Sequence, residues 1–161
     1  MNAISFEERE APAYNEAAVL AAKQAKESPC AVCTAGCGGA ESQLRNFPVQ
    51  LKLVPPNAPW FQGADLLIAA DCTAFAYGNF HNDFMRNRIT LIGCPKLDGV
   101  NYAEKLAQIF QYNDIRSITV TRMTVPCCGG LPFAVKNALA MSGKDIPLHV
   151  VTISPNGEII R

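Results

Sequence analysis

Charge is scarce in this chain. Only 17% of its 161 residues are Asp, Glu, Lys or Arg, and the two signs cancel to a formal net charge of zero. No basic stripe appears, so no nucleic-acid partner is expected, because phosphate backbones are held by clustered Lys and Arg. Long apolar runs are also missing. None approaches the roughly 20 residues a membrane helix requires, and no membrane partner is expected. The opening stretch from Met1 to Glu10 lacks the basic-then-apolar order of a secretion signal. The expected location is the cytosol.

What is present is apolar. Nearly half the residues are hydrophobic (49%), which argues against disorder and gives one domain enough chain for a real core. Seven cysteines stand out. An odd number fits poorly with a complete set of intrachain disulfides. In a reducing compartment, clustered thiols point instead to metal ligands or redox groups.

The chain reads as a single α/β domain over 1–161, with an N-terminal helix and a Cys-rich loop (about 13–42) ahead of a sheet (about 48–161). Good helix formers predict a helix from about Asn15 to Ala25. A loop rich in glycine and small residues follows. Val49–Val54 alternates and reads as a strand that stops at Pro55-Pro56. Leu66–Ala70 is a continuous apolar run, as expected of a parallel strand covered on both faces. Ile89–Gly93, Ser117–Thr121 and His149–Ile153 are the further strands. Helices fit between them. Tyr102, Leu106, Ile109 and Phe110 share one helical face, with Asn101 and Glu104 resembling a capping box. Leu131, Val135, Ala138 and Leu139 repeat that spacing, and Gly143 can end the second helix. The expected architecture is an open, mostly parallel sheet of about five strands with helices on both faces, a three-layer arrangement of the Rossmann or flavodoxin-like kind.

In such sheets ligands bind outside the carboxyl ends of the strands. Cys72, Cys94 and the vicinal pair Cys127-Cys128 all fall at such ends. Gly129 and Gly130 would let the backbone pass close to a ligand, and Lys96 stands at the presumed mouth of the site. Cys30, Cys33 and Cys37 form a C-x2-C-x3-C loop. Converging thiolates hold soft metals and iron–sulfur clusters. Cys30, Cys33 and Cys37 would anchor one [4Fe–4S] cluster, with Cys72, Cys94, Cys127 and Cys128 completing it or building a second site. Seven thiols fall short of the eight that two all-cysteine cubanes need. Zinc is the alternative metal, although no histidine lies near the triplet for a mixed site.

Four stretches resemble the α/β domain of a group of anaerobe ferredoxin-type (4Fe–4S) iron–sulfur proteins of poorly defined function. They are Pro48–Pro59, Ala69–Cys72, Ile92–Asp98 and Val125–Leu131. The resemblance runs from about Gln43 onward. In that group a two-cluster ferredoxin domain precedes the α/β domain, and its cysteine runs are absent here. The resemblance implies iron–sulfur binding, anaerobic redox physiology and a redox partner protein such as a ferredoxin domain. A homodimer is a further partner to consider. The expected function is electron transfer or cluster-based redox chemistry. A zinc-stabilised binding module stands as the alternative, as does a thiol–disulfide redox protein using Cys127 and Cys128.

Overall fold

The computed structural model describes residues 41–160, which fall in one compact unit. The helix expected at Asn15–Ala25 and the loop of Cys30, Cys33 and Cys37 lie outside them. The described chain forms β1 (Ala64–Ala70), α1 (Thr73–Ala76), β2 (Ile89–Gly93), α2 (Pro95–Asp98), α3 (Tyr102–Tyr112), β3 (Ile115–Met123), α4 (Gly130–Ser142), β4 (Leu148–Ile153) and β5 (Ile159–Ile160). The sheet order is β2-β1-β3-β4-β5, parallel except for the antiparallel β4–β5 pair. The expected five-stranded, mostly parallel α/β sheet is therefore present.

β1 is central because its sequence permits it. Leu66, Leu67, Ile68, Ala69 and Ala70 are all buried, which requires cover on both faces. Register shows how that cover is divided. Ala69 pairs with Ile92 and Thr121, and so shares a face with both, whereas Ala70 pairs with Gly93 on the opposite face. Thr73 of α1 bonds Thr121 through their hydroxyls (3.2 Å), so α1 lies on the first face. Tyr102 of α3 lies against Gly93 on the second, and α3 packs along α4.

The capping signals act as their chemistry requires. The Asn101 side chain accepts the Ala103 N–H (3.1 Å) and donates to Glu104 Oε1 (3.3 Å) at the start of α3. Gly143 ends α4 at a φ of 68°, a left-handed conformation that glycine adopts without penalty.

Two expectations are corrected. Val49–Val54 is not a strand. Its buried residues, Leu51 and Val54, are three apart, and Leu53 between them is 68% exposed. That is the spacing of a turn, and only Gln50 makes a single parallel bridge, to Ile92. The fifth strand is instead Ile159–Ile160, reached through the turn at Pro155-Asn156-Gly157.

The outer edge of β2 is sealed by the segment that precedes β1. The Asn46 side chain accepts the Thr90 N–H (2.9 Å) and donates to the Thr90 carbonyl (3.0 Å). One residue thus imitates a neighbouring strand. Beyond it, Val49 O accepts from Ile92 N and Leu51 N donates to Ile92 O, both at 2.9 Å. Covering an edge in this way removes a template for unwanted pairing.

Candidate functional site

The chain runs from β1 outward to β2, then crosses back to β3 on the other side of β1. Where strand order reverses, connections leave in opposite directions and open a crevice at the carboxyl ends. Asp71, Cys72 and Thr73 lie at this point. The Thr73 hydroxyl donates to the Ala70 carbonyl (2.7 Å) and pins the start of α1 to the end of β1.

Beside the crevice, on the α1 face, is a cavity of about 280 Å³. Its walls include Ala69, Asp71, Phe80, His81, Thr90 and Ile92, and exposed Phe75 stands at its rim. The lining is mainly apolar, with few polar groups, and two of those are unmet. Asp71 Oδ1 and Thr90 Oγ1 are both buried without a hydrogen-bond partner. His81 Nδ1 accepts the Gln43 N–H (3.1 Å), which places the proton of the neutral ring on Nε2. A small, mostly apolar cavity with a few unsatisfied polar atoms is the usual form of a small-molecule site.

On the opposite face, Tyr102 Oη donates to Asp98 Oδ2. Burial pushes the Tyr102 phenol well above its ordinary value, and the bond to Asp98 adds to this. The phenol reaches under the end of β2 because Gly93 is there. A Cβ at position 93 would lie 2.6 Å from Tyr102 Oη. Burial also raises the Asp71 carboxyl, and the Asp98 carboxylate pushes in the same direction.

The sign of that shift gives a prediction. Raising the folded-state pKa of Asp71 favours its neutral form in the fold. Its contribution to stability is therefore present below about pH 4, the unfolded value, and is lost as pH rises through the folded value. Asp71→Asn should unfold at higher urea than wild type at pH 7, and the gap should close near pH 3. Equal midpoints at pH 7 would mean that Asp71 carries no burial penalty.

The structure places the sequence-selected residues as follows. Cys72 is exposed at the start of α1, Cys94 is half-buried at the start of α2, Cys127 is exposed and Cys128 is buried; all four are free thiols. Among the described residues, no group of three or more His, Cys, Asp or Glu side chains is arranged to hold a metal ion. This corrects the expectation of a [4Fe–4S] cluster, and with it electron transfer and cluster redox chemistry. It also corrects the zinc alternative.

The physical reason lies in backbone direction. Cys127 and Cys128 are consecutive in the 3-10 turn Pro126–Gly129. Successive side chains there are turned about 120° apart, so Cys127 meets solvent and Cys128 the core, with the two thiols still in hydrogen-bonding reach of each other and no third ligand completing a metal site. Cys72 and Cys94 start helices with different backbone conformations, αR and extended. The thiol–disulfide expectation is corrected as well. Cys127 and Cys128 form no disulfide, and burial raises the Cys128 thiol, which lowers its thiolate character.

Gly129 and Gly130 lead into α4. A Cβ at Gly130 would lie 3.1 Å from Pro95 Cβ, so this glycine serves the packing of α4 on α2. Lys96 is exposed on α2.

Asp71, Thr90 and Tyr102 were not singled out as site residues by sequence reasoning. One signal for Asp71 was legible: it is a lone acid abutting the carboxyl end of an unbroken apolar strand.

A family model described as a Rossmann-like domain matches residues 58–161. The chain belongs to the Rossmann-like domain family. This Rossmann-like chain is 30% identical over 118 residues to an uncharacterized protein of Archaeoglobus fulgidus, covering 73% of this chain and 83% of that protein. No solved structure matches. The Rossmann-like sheet places the crevice and the cavity beside it at the end of the strands where this architecture holds ligands. Among the described residues, no helix is long and apolar enough to cross a membrane.

Proposed function

We propose that this Rossmann-like domain binds a small organic molecule in the cavity at the carboxyl ends of β1 and β2. The ligand has an apolar body and at least one N–H or O–H donor directed at Asp71. One observation carries the reading: the buried Asp71 Oδ1 has no partner, in a residue that lines a mainly apolar cavity. A buried acceptor left without a bond costs about 1–3 kcal/mol, and such a penalty is commonly retained where function needs the group. Thr90 Oγ1 offers a second contact, and the His81 ring a polar wall. The four thiols among the described residues are free, which suits a reducing compartment, and we place the protein in the cytosol on that ground. We keep the likeness to the α/β domain of the anaerobe group only for the fold it implies.

The test uses matched probes. Benzylamine, benzyl alcohol and toluene share a body and differ in donor. Binding is followed by the NMR shifts of the Ala69 and Ile92 methyl groups. Benzylamine should bind about tenfold more tightly than toluene, or better, as a hydrogen bond to a charged group allows. Asp71→Ala should erase the difference, and Ala74→Phe at the exposed rim should block all three. If no probe moves these methyls, or if toluene binds as well as benzylamine, the proposal fails.

A further inference from the structure

At the opposite end of the sheet, where β1, β2 and β3 begin, lies a second cavity of about 190 Å³. It is lined mostly by polar side chains, with Ala64 and Ile89 at the strand starts. It is distinct from the Asp71 cavity and shares no lining residue with it, although Arg45 and Ile89 here adjoin Leu44 and Thr90 there.

The polar atoms here are mostly donors. Arg45, Arg116 and Trp60 line the cavity, and the Trp60 indole N–H is buried without a partner. Of the acceptors, those of Asp65 and Gln62 are already engaged, and the remaining side-chain acceptor, on Asn87, is exposed to solvent. Asp65 Oδ2 accepts from Arg116, and Asp65 Oδ1 accepts from the Ser117 hydroxyl at 2.7 Å. Gln62 Oε1 accepts the Asp114 N–H at 3.2 Å. Arg116 is braced by Asp65 yet 63% exposed, and a guanidinium has five N–H donors. Two guanidinium groups against one carboxylate leave the walls with an excess of one positive charge. An indole N–H can only donate, so whatever meets it must bring an acceptor.

We propose that this end of the sheet is a separate binding site for a small oxyanion, a carboxylate or a phosphate. One anion oxygen accepts the Trp60 indole N–H, and the others accept from Arg45 and Arg116. A single negative charge balances the walls. Charge-assisted bonds from guanidinium to oxyanion are among the stronger hydrogen bonds available, and the planar fork of Arg suits both anion types. The site is independent of the ligand proposed for the Asp71 cavity.

Trp60 supplies its own reporter, as the single tryptophan of the chain. Its emission is followed while inorganic phosphate or acetate is added to the full chain at constant ionic strength, with chloride as the control. The expected result is a saturating change with phosphate, acetate or both, and none with chloride. The preferred anion tells a phosphate ligand from a carboxylate one. Arg45 is exposed, so its replacement should leave the fold intact, which circular dichroism checks. Arg45→Gln should weaken binding about tenfold, in line with losing one charged hydrogen bond. Arg45→Lys should recover part of the loss. Ala74→Phe, which blocks the other cavity, should leave the titration unchanged. A flat or non-saturating response to both anions, or one that chloride reproduces, overturns the proposal. So does an Arg45→Gln curve that matches wild type.

Discussion

Asn46→Ala should destabilise the domain by about 2–4 kcal/mol, because it strips the partners from two buried backbone groups at once. Thr90 is 2% exposed, and both its N–H and its C=O bond to the Asn46 side chain. Alanine offers neither a donor nor an acceptor, and the space it leaves lies at a sheet edge rather than in water. Asn46→Asp separates the two contributions. It keeps an acceptor for the Thr90 N–H but sets a second acceptor against the Thr90 carbonyl, so it should recover little. Urea unfolding followed by circular dichroism gives the midpoints. A loss below about 0.5 kcal/mol for Asn46→Ala, the range of ordinary surface changes, would show that the segment preceding β1 is dispensable for the edge of β2. The same variant should weaken probe binding in the Asp71 cavity, since Thr90 lines its wall.

Gly157→Ala should be at least as damaging, at about 2–5 kcal/mol, for two separate reasons. Gly157 has a φ of 81°, where an L side chain is strained by roughly 1–2 kcal/mol. A Cβ there would also lie 2.4 Å from the Ala76 carbonyl oxygen. That atom is backbone at the end of α1 and cannot rotate aside, so overpacking adds about 1–3 kcal/mol. Gly143 separates the two effects. It has a φ of 68°, but a Cβ there meets nothing within 4 Å. Gly143→Ala should therefore show the conformational part alone. If the two variants have equal midpoints, the close approach of the β4–β5 turn to α1 has no energetic weight.

The fold was legible where periodicity had length to express itself. Leu66–Ala70 could only be a strand buried on both faces, and the helices beginning at Tyr102 and Gly130 carried apolar stripes over three turns or more. Short elements left no such trace. α1 and α2 have four residues each and β5 has two, fewer than any pattern needs. Val49–Val54 misled because alternation of residue type was not alternation of burial.

The candidate site was legible only in part. The end of the sheet was foreseen, because topology alone sets it. The chemistry there was not. Cysteines at three strand ends share an edge of the sheet, but an edge does not fix where side chains point. Turn geometry at Cys127-Cys128 settled that against a metal centre. Asp71 and Thr90 became visible only once hydrogen bonds could be assigned, for an unpartnered atom is defined by its neighbours. Trp60 was not among the site residues drawn from the sequence. Its unmet indole N–H depends on strand starts that are distant in sequence.

The brevity of α1 makes it the least self-sufficient wall of the cavity beside it. One turn of helix cannot stand alone in water. Its shape is borrowed from the Thr73 hydroxyl contacts at one end and from the turn around Gly157 pressed on Ala76 at the other. Loosening either support would free this wall without melting the sheet, a local event with a free energy far below that of global unfolding. The amides of Ala76 and Tyr77, bonded to the Cys72 and Thr73 carbonyls at 3.1 and 3.0 Å, therefore serve as a clock for exchange between closed and open forms. Deuterium uptake there should run well ahead of uptake in β1, and a bound guest should slow it.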